Sequence, residues 1–171
     1  DAYQRWEDRD RKGKEPKACK KNFAKAIMAF KTFLDEYPKN NSNPNVLMQL
    51  SFIYVTMLQE ERAFTLWERL VTNFKGSAFV PKARLRMGEF YYNNRKHKKA
   101  IEQYKIVLGL KSQLRPKEAA MAIYHLAESQ NNIGDYEESA KTFYEYITGS
   151  DEGRYPNDFR QEALIYMTGT V

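Results

Sequence analysis

Residues 87–108 read MGEFYYNNRKHKKAIEQYKIVL, and this stretch decides the fold. Gly88 is followed twelve positions later by Ala100, sixteen later by Tyr104 and nineteen later by Val107, with Met87 immediately before it. The polar run Asn93-Asn94-Arg95-Lys96-His97 reads as a turn. After it, the apolar residues Ala100, Ile101, Tyr104, Val107 and Leu108 fall at helical spacing. The stretch is therefore a helical hairpin. Its two small residues let the helices approach closely, and its aromatic and aliphatic residues fill the groove toward the next hairpin.

The same columns recur on both sides. Ser51, Ala63, Trp67 and Leu70, preceded by Leu50, repeat the spacing upstream. Ala127, Ser139, Phe143 and Tyr146, preceded by Leu126, repeat it downstream. Self-similarity at a fixed period marks a stack of like units. The turn Ile133-Gly134-Asp135-Tyr136-Glu137-Glu138 adds a Gly at a helix end and acids at the next helix start, where the macrodipole favours them. Gln130, where Tyr54 and Tyr91 stand in the other units, is the main departure, and Ser139 replaces an Ala.

This pattern resembles the tetratricopeptide repeat (TPR) family: a small residue in the first helix, another in the second, and an aromatic four later. In that register repeats begin near Glu7, Pro44, Pro81, Ala120 and Gln161, against a family period of about 34. The first repeat matches in its second helix (Ala26, Phe30, Phe33, Pro38). Its first helix would hold Gly13, Lys14 and Pro16 where apolar and small residues belong. The resemblance implies an all-α, right-handed TPR solenoid of antiparallel hairpins with eight or nine helices. It would occupy residues 18–171 after a basic segment, 1–17, that is irregular or a single helix, with the first and last repeats incomplete. The loops Glu36-Tyr37-Pro38-Lys39 and Asn73-Phe74-Lys75-Gly76-Ser77 further resemble helix ends of bacterial cell-envelope TPR proteins of the outer-membrane-assembly lipoprotein and Tol–Pal coordinator types. A periplasmic or envelope location is the expectation that follows.

Composition fits one domain. The chain has 171 residues, 42% hydrophobic, with 12 Tyr, 10 Phe and 2 Trp, enough to bury roughly 70% of its unfolded surface. No uncharged stretch approaches the ~18 apolar residues of a membrane span. No charged leader and apolar run follow Asp1, so a signal peptide is expected to be absent or removed, and the half repeat at the end suggests a piece of a longer protein. One cysteine, Cys19, excludes a disulfide framework and a cysteine-rich zinc site. Its neighbours Lys17, Lys20 and Lys21 would favour the thiolate, but a bland thiol is the preferred reading.

Chemistry finds little to hold. His97 reads as an exposed turn residue and His125 as a groove-lining one rather than as metal ligands, and no glycine-rich phosphate loop occurs. The acid pairs Glu60/Glu61 and Glu137/Glu138 sit at helix starts. No catalytic residue, metal or cofactor is expected, and the chain reads as a non-enzyme.

Charge is uneven: the net +6 hides +10 over residues 75–117 and −7 over 118–171. Arg95, Lys96, Lys98 and Lys99 cluster at one turn, while the other basics spread around two helices. A stacking platform for single-stranded RNA needs exposed aromatics among the basics, and Phe90, Tyr91 and Tyr104 are accounted for by packing. Weak RNA binding therefore ranks below self-association of basic middle with acidic end, and both rank below protein recognition.

The resemblance implies where recognition occurs, since first helices of TPR hairpins line a concave groove. The residues off the packing columns are Asn45, Met48, Gln49, Phe52, Val55 and Thr56; then Lys82, Leu85, Arg86, Glu89, Tyr92 and Asn93; then Met121, Tyr124, His125, Glu128, Asn131 and Asn132. Aromatics, Met and Arg in one trough suit an interface core. Phe52, Leu85, Tyr92 and Tyr124 are expected as an exposed apolar floor, Lys82 and Arg86 as contacts for an acidic group, and Asn93, Asn131 and Asn132 as contacts for backbone. The Lys82/Arg86 pair matches half of the family's carboxylate clamp; the other half would fall on Gln49, Arg11 and Glu15, which do not fit it.

Overall fold

The computed structural model describes residues 17–110 and 113–168. These form eight α-helices and, among the described residues, no strand: α1 (Lys17–Glu36), α2 (Asn43–Thr56), α3 (Glu60–Asn73), α4 (Val80–Asn93), α5 (His97–Gly109), α6 (Pro116–Asn132), α7 (Tyr136–Asp151) and α8 (Arg160–Thr168). The expected segment 1–17 and the first helix of the first repeat, with Arg11 and Glu15, lie outside the described residues apart from Lys17, which opens α1.

Each helix packs on its neighbours in sequence, and α4 also packs on α6. The result is a row of hairpins, α2–α3, α4–α5 and α6–α7, with α1 and α8 at the ends. Proline sits in the first turn of α2, α4 and α6, where its missing N–H costs nothing.

The repeating columns are the core. Ser51, Ala63, Trp67, Leu70, Ala100, Tyr104, Val107, Ala127, Ser139, Phe143 and Tyr146 are all buried. Within each hairpin the small residue of the first helix lies under the aromatic sixteen positions later. Ser51 does so by a hydrogen bond, its Oγ accepting from Trp67 Nε1 at 2.8 Å while donating to the Met48 carbonyl at 2.8 Å. Gly88 does so by lacking a side chain: a Cβ there would stand 2.6 Å from Tyr104 Cε1. Ala127 and Phe143 share one apolar cluster, and Ser139 Oγ ties the two helices by donating to the Ala127 carbonyl at 2.8 Å.

The three hairpin turns are copies of one motif. The N–H groups of Gln59, Lys96 and Asp135 donate to the carbonyls of Tyr54, Tyr91 and Gln130, five residues back, at 2.8, 2.8 and 3.0 Å. The residue before each donates three back. This is the Schellman ending, which requires a left-handed residue at its centre. Gly134 meets the requirement freely at φ 82°, but Leu58 and Arg95 adopt φ 58° and 56° as non-glycine residues. Leu58 is 88% exposed, so no packing repays its strained backbone.

Two outcomes follow. Replacing Leu58 with Asn, which tolerates the left-handed region, should raise stability by about 0.5–1 kcal/mol, since the strain costs about 1–2 kcal/mol. Gly88→Ala should lower it by about 1–3 kcal/mol, because the fully buried Tyr104 ring has nowhere to go. Urea midpoints at constant slope check both.

Candidate functional site

The first helices α2, α4 and α6 form a layer that α8 extends. A buried carboxylate joins three of them. Glu128 of α6 is 9% exposed; its Oε2 accepts from Tyr92 Oη of α4 at 3.0 Å and lies 2.9 Å from His125 Nδ1, and its Oε1 accepts from Tyr166 Oη of α8 at 3.4 Å. Aromatic rings surround it. His125 lies 4.7 Å from Tyr92, 5.6 Å from Tyr124 and 6.2 Å from Tyr104, centroid to centroid. Tyr124 stacks on Phe159 at 4.6 Å, and Tyr166 on Phe143 at 4.9 Å. Burial, then the nearby Glu128 charge, pushes the Tyr92 and Tyr124 hydroxyls well above the usual phenol range, so both remain donors.

The expected apolar floor is corrected in part. Leu85 is 2% exposed, packed with Ala100, Tyr104, Val107, Ala122 and Leu126, and Tyr124 is 6% exposed in the cluster around α6–α8. Met48, at the equivalent position of its repeat, is also buried. All three turn toward neighbouring helices because the helix layer packs side to side, and they are core rather than surface. Glu128 too is buried rather than solvent-facing. Phe52 is 46% exposed, and Gln49, Arg86 and Asn93 are exposed as expected, with Lys82, Glu89, Tyr92, His125 and Asn131 half-buried.

Polar contacts change the expected roles. Arg86 Nη1 is ion-paired with Glu89 Oε2 at 2.6 Å, so the Lys82/Arg86 pair does not present two unopposed charges. Asn132, exposed, turns its Nδ2 back to the Glu128 carbonyl at 2.8 Å. Arg95, Lys96, Lys98 and Lys99 are exposed and make no ion pair among the described residues, while Lys99 lies over the Tyr91 ring at 5.6 Å. Phe90 and Tyr91 pack on Phe64 at 4.7 and 5.2 Å, the packing roles expected of them.

Two participants escaped sequence reasoning. Tyr166 closes the network, yet its position continues the column Gln49, Arg86, His125 at the repeat spacing, so carrying the register into the last half repeat would have found it. Phe159 lies in the connection before α8, where no periodicity points.

Residues 121–148 match the tetratricopeptide repeat family. The fold is a TPR solenoid. Solved structures agree on the architecture over nearly the whole chain. A crystal structure of MamA aligns with a TM-score of 0.61 at 20% identity, covering 89% of this chain and 88% of that one. A structure of MamA AMB-1 aligns at 0.60 and 17% identity, covering 88% and 82%. At such identity the likeness is one of fold. No curated protein matches the sequence. No group of three or more His, Cys, Asp or Glu among the described residues is arranged to hold a metal, and no described helix is long and apolar enough to cross a membrane.

Truncating Glu128 to Ala would strand the Tyr92 and Tyr166 hydroxyls and His125. It should cost about 1–3 kcal/mol. A double-mutant cycle with Tyr166→Phe should show positive coupling, because both changes act on one network; additive losses would mean α8 is held by ring stacking alone.

Proposed function

We propose that the chain is a non-enzymatic scaffold that holds a peptide segment or partner domain against the exposed face of its first helices. The observation that supports this is the division of labour along those helices. One set of columns is consumed by packing, while Gln49, Phe52, Arg86 and Asn93 stay at the surface on successive repeats. Stacked repeats bury a continuous core and leave a broad surface of this kind, which suits recognition. We place it in the bacterial cell envelope, on the resemblance of the loops 36–39 and 73–77 to those of envelope TPR proteins; fractionation of the native host would test that placement.

A photo-reactive amino acid tests the surface directly. Incorporated at Gln49 or Asn93 it should cross-link a discrete partner, and at Ile106, which is 42% exposed on α5, it should not. Phe52→Ala should weaken capture by about 2 kcal/mol with little loss of stability if Phe52 is an anchor. Leu85→Ala should instead cost about 2–5 kcal/mol of stability. Cross-links from Ile106 alone would put the partner on the other face.

A second reading rests on the exposed basic turn at Arg95–Lys99 and the net −7 of residues 118–171. Those charges would join copies of the chain end to middle. Concentration-dependent mass in sedimentation that salt abolishes would support it, since exposed pairs are screened within about 10 Å at 0.1 M. RNA binding would show instead as an affinity falling steeply with log salt.

A further inference from the structure

The two ends of the helix row are open in complementary ways. In the hairpins, the first-helix columns Met48/Leu85/Tyr124 and Leu50/Met87/Leu126 are buried at every member. The same columns reach α8 at Ile165 and Met167, which are 37% and 40% exposed. α8 packs on α7 and is tied to Glu128 of α6, and the columns that a further hairpin partner covers elsewhere stay open on it. α1 is the converse case. Its Ala26, Phe30 and Phe33 continue the second-helix columns Ala63/Ala100/Ser139, Trp67/Tyr104/Phe143 and Leu70/Val107/Tyr146. Those nine residues are buried, whereas the three in α1 are only half-buried. Ile27 and Leu34 of α1 join the core shared with α2 and α3. Another side of the helix carries a mostly apolar groove of about 370 Å³, lined by Met28, Ala29, Thr32, Phe33 and Tyr37 between Lys25 and Glu36. Ala29 identifies what belongs there. Its counterpart in α5 is Gln103, whose Oε1 accepts from Arg84 Nη1 of α4 at 3.0 Å, so this side of a second helix meets the first helix of its own hairpin. The counterpart of Arg84 in α8 is Leu164, apolar and half-buried.

We propose that α8 of one copy seats in the α1 groove of a second copy, so that the two helices complete a hairpin and the solenoid continues from chain to chain. The contact repeats one that this chain already makes three times, in α2–α3, α4–α5 and α6–α7. In that register Leu164 lies against Ala29, and Met167 faces the column of Phe30 and Phe33. Ile165 is then covered by α2 of the second copy, as Leu85 is covered by Ala122 and Leu126 of α6. Charge favours tail against head over tail against tail. Two α8 ends both belong to the stretch 118–171, which sums to −7, whereas α1 holds Lys17, Lys20, Lys21, Lys25 and Lys31 against Asp35 and Glu36. A tail-to-head contact joins two different surfaces and does not close on itself, so copies add in a row. Its holding force is burial of apolar side chains, independent of the groove reading and of charge pairing through Arg95–Lys99.

The test is sedimentation of the whole chain across a wide concentration range, with two variants at exposed positions, Met167→Glu on α8 and Ala29→Glu on α1. The parent should form a series of masses that grows with concentration and persists at about 1 M salt, where the screening length is about 3 Å. Each variant alone should weaken association by at least about tenfold, because the seated helix would bury an unpaired carboxylate. Melting temperatures near the parent's would show that both variants fold. Mixing the two variants should restore a one-to-one pair and nothing longer, since the mixture holds one intact α8 and one intact α1. A parent that stays monomeric to its solubility limit would overturn the proposal, leaving these faces to the chain's own residues 1–16 or to another protein. Association that high salt abolishes would replace it with the charge-paired mode, and a mixture that fails to pair would show that these two ends do not meet. None of these results bears on cross-linking from Gln49 or Asn93, which tests the groove by itself.

Discussion

The contact on which the rest of the structure depends is the one between a small residue and an aromatic ring sixteen positions later. It sets how closely the two helices of each hairpin approach, and so where every other side chain of the hairpin points. The three hairpins meet it with different chemistry: a hydroxyl accepting from an indole in Ser51–Trp67, an absent side chain under a phenol in Gly88–Tyr104, and a methyl group in the cluster of Phe143 in Ala127. Trp67 would leave its N–H unpaired if Ser51 were alanine, and Tyr104 would collide with any Cβ at Gly88. The pairs are therefore not interchangeable, although the column is the same. Each hairpin carries its own matched set.

Between hairpins the tie is polar. Glu128 draws Tyr92 of α4 and Tyr166 of α8 onto α6, so three successive repeats share one acceptor. Apolar packing tolerates sliding, whereas a carboxylate bonded to directed phenol donors fixes the angle between neighbouring helices. A buried charge of this kind is costly unless its oxygens are bonded, and here both are. Glu89 Oε1 and the Tyr104 hydroxyl, by contrast, are buried without a hydrogen-bond partner among the described residues.

How much of this was legible depends on which period carried it. The hairpins, their turns and the buried columns followed from spacing, because each set of columns is split by a polar turn and the apolar residues beyond it fall at helical intervals. The surface was harder. Met48, Leu85 and Tyr124 occupy one repeat position, and Gln49, Arg86 and His125 the next. On a helix these columns are 100° apart, so whether the first faces solvent depends on how tightly first helices pack side to side. Sequence periodicity within one hairpin does not contain that distance. The uniformly large apolar residues of the first column were a usable sign that it is core. The network around Glu128 was out of reach for another reason: its members come from three repeats, and an Oη to Oε distance is a property of the stack. Leu58 hid similarly, since nothing in its type announces a left-handed backbone; only the homology of its turn to that of Gly134 does.

Charge then acts at a different range from these contacts. Part of the basic stretch is neutralised where it meets the acidic end: Arg115 pairs with Glu118 at 2.7 Å, and Lys117 reaches Asp158 of the connection before α8 at 3.6 Å. These pairs are largely solvent-exposed on the basic side and contribute little to stability. The turn at Arg95–Lys99 has no such compensation among the described residues, and so it dominates the field on its edge of the molecule. At physiological ionic strength that field decays within about 8 Å, long enough to orient an approaching partner and too short to choose one. Selection must come from side chains at fixed positions, and those around Glu128 are among them. In the proposed scaffold, a partner steered by the basic edge would therefore still be accepted or rejected by side chains on the first-helix face.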